Sequence, residues 1–153
     1  MTQYKGAATA GAGQAFMQSF GNHVTMWDRT TPSAALALND TLDLLRVAGG
    51  TKLTELVKYN GDLDTGTTLQ YKLGYRKVNT AGVLVDDDDY FVAAGATDLQ
   101  AAVLESAPTR YVCGDITFNE DVFITMTVTA AATGVAATPS ITLRSEGIAV
   151  GIK

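Results

Sequence analysis

The chain predicts an all-β fold, a single sandwich or barrel closed around one core. Three observations carry this. Apolar residues recur at every second position through much of the sequence after His23, the period of a half-buried strand. The apolar runs are short and alternate with Gly- and Asp-containing turns, so eight or so strands are expected. A length of 153 residues fits one domain better than two.

The elements follow in order. Residues 1–21 read as an irregular N-terminal arm. Residues 6–13 are small and without period, and Phe16, Met17 and Phe20 follow as an apolar cluster. Such a segment is a free terminus, an arm that orders on a partner surface with Tyr4, Phe16 and Phe20 as anchors, or a segment packed simply onto its own domain. Residues 22–153 form the sandwich. A short strand is expected at 24–27. Two longer ones at 41–47 and 52–59 flank the tight turn Ala48-Gly49-Gly50. In the first of these the apolar phase slips between Leu44 and Leu45, which predicts a β-bulge.

In residues 69–76 the odd positions are apolar and the even ones polar or Gly. In residues 121–129, Val122, Ile124, Met126 and Val128 share one face, and Thr125, Thr127 and Thr129 the other. Residues 140–153 change parity at Gly147, so a kink is expected there. Shorter strands are expected at 83–85, 90–92, 111–113 and 116–118. One short helix is expected near 97–106, because Thr97 and Gln100 have capping-box spacing and Leu99, Ala102 and Val103 fall at helical intervals. Residues 130–138 read as a loop of small residues.

Composition excludes several functions. Net charge is −5 and the basic residues are scattered among acids, so nucleic-acid binding through phosphates is not expected. No apolar run approaches the roughly 18 residues of a membrane span, and no signal peptide is visible at the N-terminus. These point to a protein made in a cytoplasm, soluble or assembled there. Charged residues are only 18 % of the chain, against about 25 % in typical soluble domains. Thr, Ala, Gly and Ser must cover much of the surface, which suits packing against neighbours.

Chemistry-bearing patterns are sparse. The chain has one His, His23, and one Cys, Cys113. A nucleophile elbow, a phosphate-cradling loop and a zinc ligand set do not occur. Cys113 reads as a small buried hydrophobe. The run Asp86-Asp87-Asp88-Asp89 reads as a solvated loop, with a Ca²⁺ site as the alternative. Asp62 and Asp64 read as a tight turn in which carboxylates cap backbone amides. No catalytic, cofactor-binding or metal residue is assigned, no cofactor is expected, and the chain reads as a non-enzyme.

Residues 36–75 carry a resemblance. Asp40-Thr41-Leu42 opens a strand that ends at the small-residue turn. A second strand ends in Asp62-Leu63-Asp64-Thr65-Gly66 and leads to Thr68-Leu69 and then Leu73-Gly74-Tyr75. Tyr90-Phe91-Val92, residues 97–102 and the strand pair of 115–129 continue the pattern. It resembles the jelly-roll capsid decoration (cement) and minor structural proteins of tailed bacteriophages, over residues 36–153. The resemblance implies a jelly roll on the outside of the head. It also implies a homodimer or homotrimer that bridges subunits of the major capsid protein and stabilises the shell, assembled in the host cytoplasm. Tyr4, Phe16, Met17, Phe20 and Trp27 are then the candidate partner-binding residues. Other readings are a neck, tail or fibre component, a carbohydrate-binding sandwich using Trp27 and the acidic loop, and, last, an enzyme acting through Asp62 or Asp64.

Overall fold

The computed structural model describes residues 2–5, 18–20, 22–100, 108–114 and 116–151. Their elements are strands: β1 (Gln3–Lys5), β2 (Gln18–Phe20), β3 (His23–Thr30), β4 (Thr41–Val47), β5 (Thr51–Asn60), β6 (Gln70–Lys77), β7 (Asp87–Ala96), β8 (Thr109–Val112), β9 (Thr117–Phe118), β10 (Val122–Ala130) and β11 (Ile141–Ala149). They form two sheets. The first has the order β1-β4-β10-β6-β7; the second has the order β2-β3-β11-β5-β8, with β9 also paired to β5.

The core lies between the sheets, where the inward parities meet. From the first sheet come Leu42, Leu45, Leu73, Ile124, Met126 and Val128; from the second come Met26, Leu53, Leu56, Ile141 and Leu143. Burial of each such side chain stabilises the fold by about 1.5–3 kcal/mol. The β4 bulge is present: Ile124 faces Leu45 and Thr125 faces Asp43, leaving Leu44 as the extra residue. It lets Leu42, Leu44 and Leu45 all be buried in one strand. The β11 register also shifts at Glu146/Gly147. A Cβ on Gly147 would lie 2.7 Å from the Lys52 carbonyl oxygen, so the kink requires Gly.

Four expectations change. The expected helix does not form in its described part: Thr97 to Gln100 is a turn closed by the Gln100 N–H donating to the Thr97 carbonyl, and residues 101–106 lie outside the described residues. Tertiary anchoring overrides the capping pattern, since Leu99 is buried in the core and Gln100 Nε2 donates to the Leu69 carbonyl at 2.6 Å. Residues 83–85 are not a strand, because the N–H groups of Val83 and Leu84 donate to the Glu120 carboxylate instead of a neighbouring strand. The described parts of the segment expected to be irregular add a strand to each sheet, β1 parallel to β4 and β2 antiparallel to β3. Finally, Asp87 to Asp89 belong to β7 rather than to a loop.

The long strands run end to end, so the connections gather at two poles. The connections that follow Thr30, Asn60, Ala96 and Ala130 leave at one pole, and those that follow Val47, Lys77 and Val112 leave at the other, beside the C-terminal end of β11.

Candidate functional site

The residues marked as partner-binding are spread over the molecule. Tyr4 lies in β1 and is half-buried against the chain's own core. Its strand is fixed at several points. Thr2 N–H donates to Asp40 Oδ1 at 2.6 Å, Thr41 N–H to the Thr2 carbonyl, and Gln3 Nε2 to Asp43 Oδ2 at 3.0 Å. Asp43 is buried and also receives Nε and Nη2 of Arg76 at 3.0 and 2.6 Å. Arg76 stacks over Phe123, and Thr125 Oγ1 donates to Asp43. Thr125 is therefore buried although it lies on the outward side of β10. Phe20 ends β2 opposite His23; Phe16 and Met17 lie outside the described residues.

Trp27 stands on the outward side of the second sheet and is 45 % exposed. Its row across the sheet is Trp27–Arg144–Val57–Arg110. Arg110 pairs with Glu55, and Arg144 lies 3.7 Å from Glu55 and 3.3 Å from Glu146. This outer face thus carries arginines paired with glutamates, with Trp27 beside them on β3.

At the first pole, Asp64 ties two connections together. Its buried carboxylate accepts the N–H groups of Gly66, Thr68, Leu69, Thr133 and Gly134. Burial alone would raise its pKa; the donors of Gly66, Leu69, Thr68 and Gly134 outweigh that and hold it at about 2. Asp62 caps the Asp64 N–H. The Asp62/Asp64 segment is thus a structural turn of the kind the sequence indicated.

Close by is a cluster that the sequence did not reveal. Lys58 is fully buried and donates to the Tyr71 hydroxyl at 2.6 Å and to Asp98 Oδ2. Tyr71 in turn donates to Asp98 Oδ1 at 2.6 Å. Lys58 shares the inward parity of Leu56, the one signal that could have singled it out. Burial lowers the Lys58 pKa, with the bond and charge of Asp98 acting against it. Burial would raise the Asp98 pKa, but the bonds from Lys58 and Tyr71 bring it below the usual value. The three side chains pin β5, β6 and the 97–100 turn together.

At the second pole, the 78–86 connection is braced on every side. Glu120 Oε1 accepts the Val83 and Leu84 N–H groups at 2.8 and 3.3 Å. Lys77 Nζ donates to the carbonyls of Gly82 and Leu84. Asp86 Oδ1 caps the Lys77 N–H. The loop holds Val83 and Val85 out into solvent, 92 % and 79 % exposed. Of the acidic run that follows, Asp88 pairs with Lys72. Among the described residues no group of three or more His, Cys, Asp or Glu side chains could hold a metal ion.

Comparison with known proteins then places the fold. No family model matches the chain, and no curated protein matches it. Among solved structures, a chain of the capsid of Ralstonia phage GP4 is 20 % identical, with 96 % of this chain and 97 % of that chain covered and a TM-score of 0.67. A chain of the Cyanophage Pam1 capsid asymmetric unit is 16 % identical, with coverages of 88 % and 94 % and a TM-score of 0.60. The chain has the all-β, two-sheet fold of these phage capsid chains.

Proposed function

We propose that this chain is a non-catalytic structural virion protein, a decoration (cement) protein that binds the outside of a tailed-phage head and stabilises the shell by bridging major-capsid subunits. One observation carries the reading: the fold is shared over nearly the whole of both chains with a protein of the GP4 capsid. The two coverages, 96 % and 97 %, also make the chains nearly equal in length. The likeness is therefore to a whole small capsid component and not to one domain of a larger one.

The strand order supports the jelly-roll reading. Within the two sheets the eight strands β3, β4, β5, β6, β7, β8, β10 and β11 run in the orders β3-β11-β5-β8 and β4-β10-β6-β7. Each sheet sets early strands beside late ones, as two Greek keys do. The low charge content supports a role against neighbours, because few charges need be desolvated at an interface. In this reading residues 1–21 are an arm that begins on its own sandwich and Trp27 is an anchor on the outer face of the second sheet. The protein acts as a homodimer or homotrimer, which multiplies modest contacts. It has its place on the capsid exterior after assembly in the host cytoplasm.

The test is binding of the purified protein to expanded empty heads of its phage, with its mass in solution measured alongside. Saturable binding at a fixed ratio to capsid subunits, weakened by Trp27→Ala, is the expected result. A folded protein that does not bind heads would overturn the decoration role and direct attention to the neck, tail or fibre.

A further inference from the structure

We propose that the 78–86 loop is the docking tip of this chain, and that its occupant is a shell subunit presenting an apolar hollow edged by Lys and Arg side chains. This rests on the decoration reading and deepens it by assigning the contact surface.

Three observations carry it. The first is exposure without disorder of purpose: Val83 and Val85 point into solvent while Leu84 between them is partly buried against the core. An apolar pair held outward by a carboxylate, an ammonium and an aspartate cap is preorganised, so docking loses little loop entropy. Gly82 is part of the brace, because a Cβ there would meet Glu120 Oε2 at 1.9 Å.

The second is position. Val150, 48 % exposed, follows β11 at the same pole, and its N–H donates to the Gly50 carbonyl. Gly50 N–H donates to the Phe118 carbonyl, two residues before Glu120. One end of the sandwich thus carries several outward apolar side chains on connected loops.

The third is charge. The valines are followed directly by Asp86, Asp87, Asp88 and Asp89. Asp86 uses its carboxylate on a backbone N–H, which leaves its charge uncancelled, and Asp86 and Asp89 are both exposed. At the tip the Lys77 ammonium stands against the carboxylates of Asp86 and Glu120, all three bonded to backbone groups at the loop, and this net negative charge beside an apolar tip complements a basic rim around an apolar hollow. It disfavours a second copy of this chain as occupant, because the chain itself carries −5, and it disfavours a nucleic-acid phosphate for the same reason.

The experiment compares head binding of the full chain with Val83→Ser/Val85→Ser, Asp89→Asn and, as a control at the opposite pole, Val135→Ser. The valine pair variant should bind at least about tenfold more weakly with its thermal midpoint unchanged. Asp89→Asn should bind more weakly and show a smaller loss of affinity with added salt. Val135→Ser should match the parent. Parent binding with an undiminished valine variant, or equal losses in the valine and Val135 variants, would overturn the docking tip and leave the decoration role standing. A valine variant with altered mass in solution would make the tip a contact between copies and overturn the proposal. Absence of parent binding would overturn both readings.

Discussion

The Asp64 carboxylate receives the Thr133 backbone N–H at 2.8 Å, joining the 61–69 and 131–140 connections across 69 positions of chain. Asp64 thereby seals one pole of the sandwich, and its ionisation is linked to folding. Its pKa is about 2 in the folded chain, against an ordinary value of 3.8. The folded value is the lower one, so the stabilisation is full above about pH 4 and is lost as pH falls toward 2. The linkage is worth about 2 kcal/mol. Asp64→Asn should destabilise the protein at pH 7 by about 2 kcal/mol, and the gap from the parent should close between pH 4 and pH 2. Urea unfolding at several pH values measures both.

The buried ammonium of Lys58 should make its two partners unequal. Asp98→Ala leaves a charge in the core held by the Tyr71 hydroxyl, and should cost about 3 kcal/mol or more. Lys58→Met replaces the charge by an apolar chain and leaves a carboxylate that reaches solvent, with a side chain 41 % exposed. It should cost less than about 1 kcal/mol. Chemical denaturation of the two variants decides this, and equal losses would contradict the assignment of Lys58 as the group that needs compensation.

Gly74 lies beneath the main chain of β7. A Cβ there would stand 2.0 Å from the Asp87 carbonyl oxygen and 2.4 Å from the Asp88 carbonyl carbon. Gly74→Ala should therefore force β7 off β6 and destabilise by about 2 kcal/mol or more. Gly61→Ala, whose Cβ would find its nearest neighbour at 3.4 Å, should cost far less. Thermal unfolding of the pair is the comparison.

Gly82→Ala should act locally. Its Cβ collides with the Glu120 carboxylate, so the Val83 and Leu84 amides lose their acceptor. Amide exchange at those two positions should accelerate while exchange within β10 stays slow.

Cys113 is buried, and burial followed by the charge of Glu55 pushes its thiol up to about 11. The thiolate is scarce at pH 8, so a thiol reagent should modify the native protein far more slowly than the urea-unfolded chain. Rapid native labelling would show that Cys113 is accessible.

Much of the local structure was legible in the sequence. The parities of residues 69–76 and 122–128 show which side chains enter the core. The phase slip at Leu44 marks a bulge, and Gly147 marks a kink. The Asp62/Asp64 turn was legible because a short carboxylate finds backbone amides within a few residues. The capping pattern at Thr97 misled, since a turn tethered by Leu99 and Gln100 satisfied the same groups at longer range. The pinning lysine was hidden because Tyr71 and Asp98 lie 13 and 40 positions away from it.

The sequence by itself determined the all-β class and, in the long strands near 41–47, 52–59, 69–76 and 121–129, which face is apolar, because these depend on side-chain periods of two and on backbone preferences within a few residues. Only the tertiary structure decided which strands are neighbours, that Gln3 covers Asp43, that Lys58 bridges the sheets and that Glu120 holds Val83 in solvent. Each of these joins residues far apart in the chain, and a period-two pattern is the same whichever strand lies beside it.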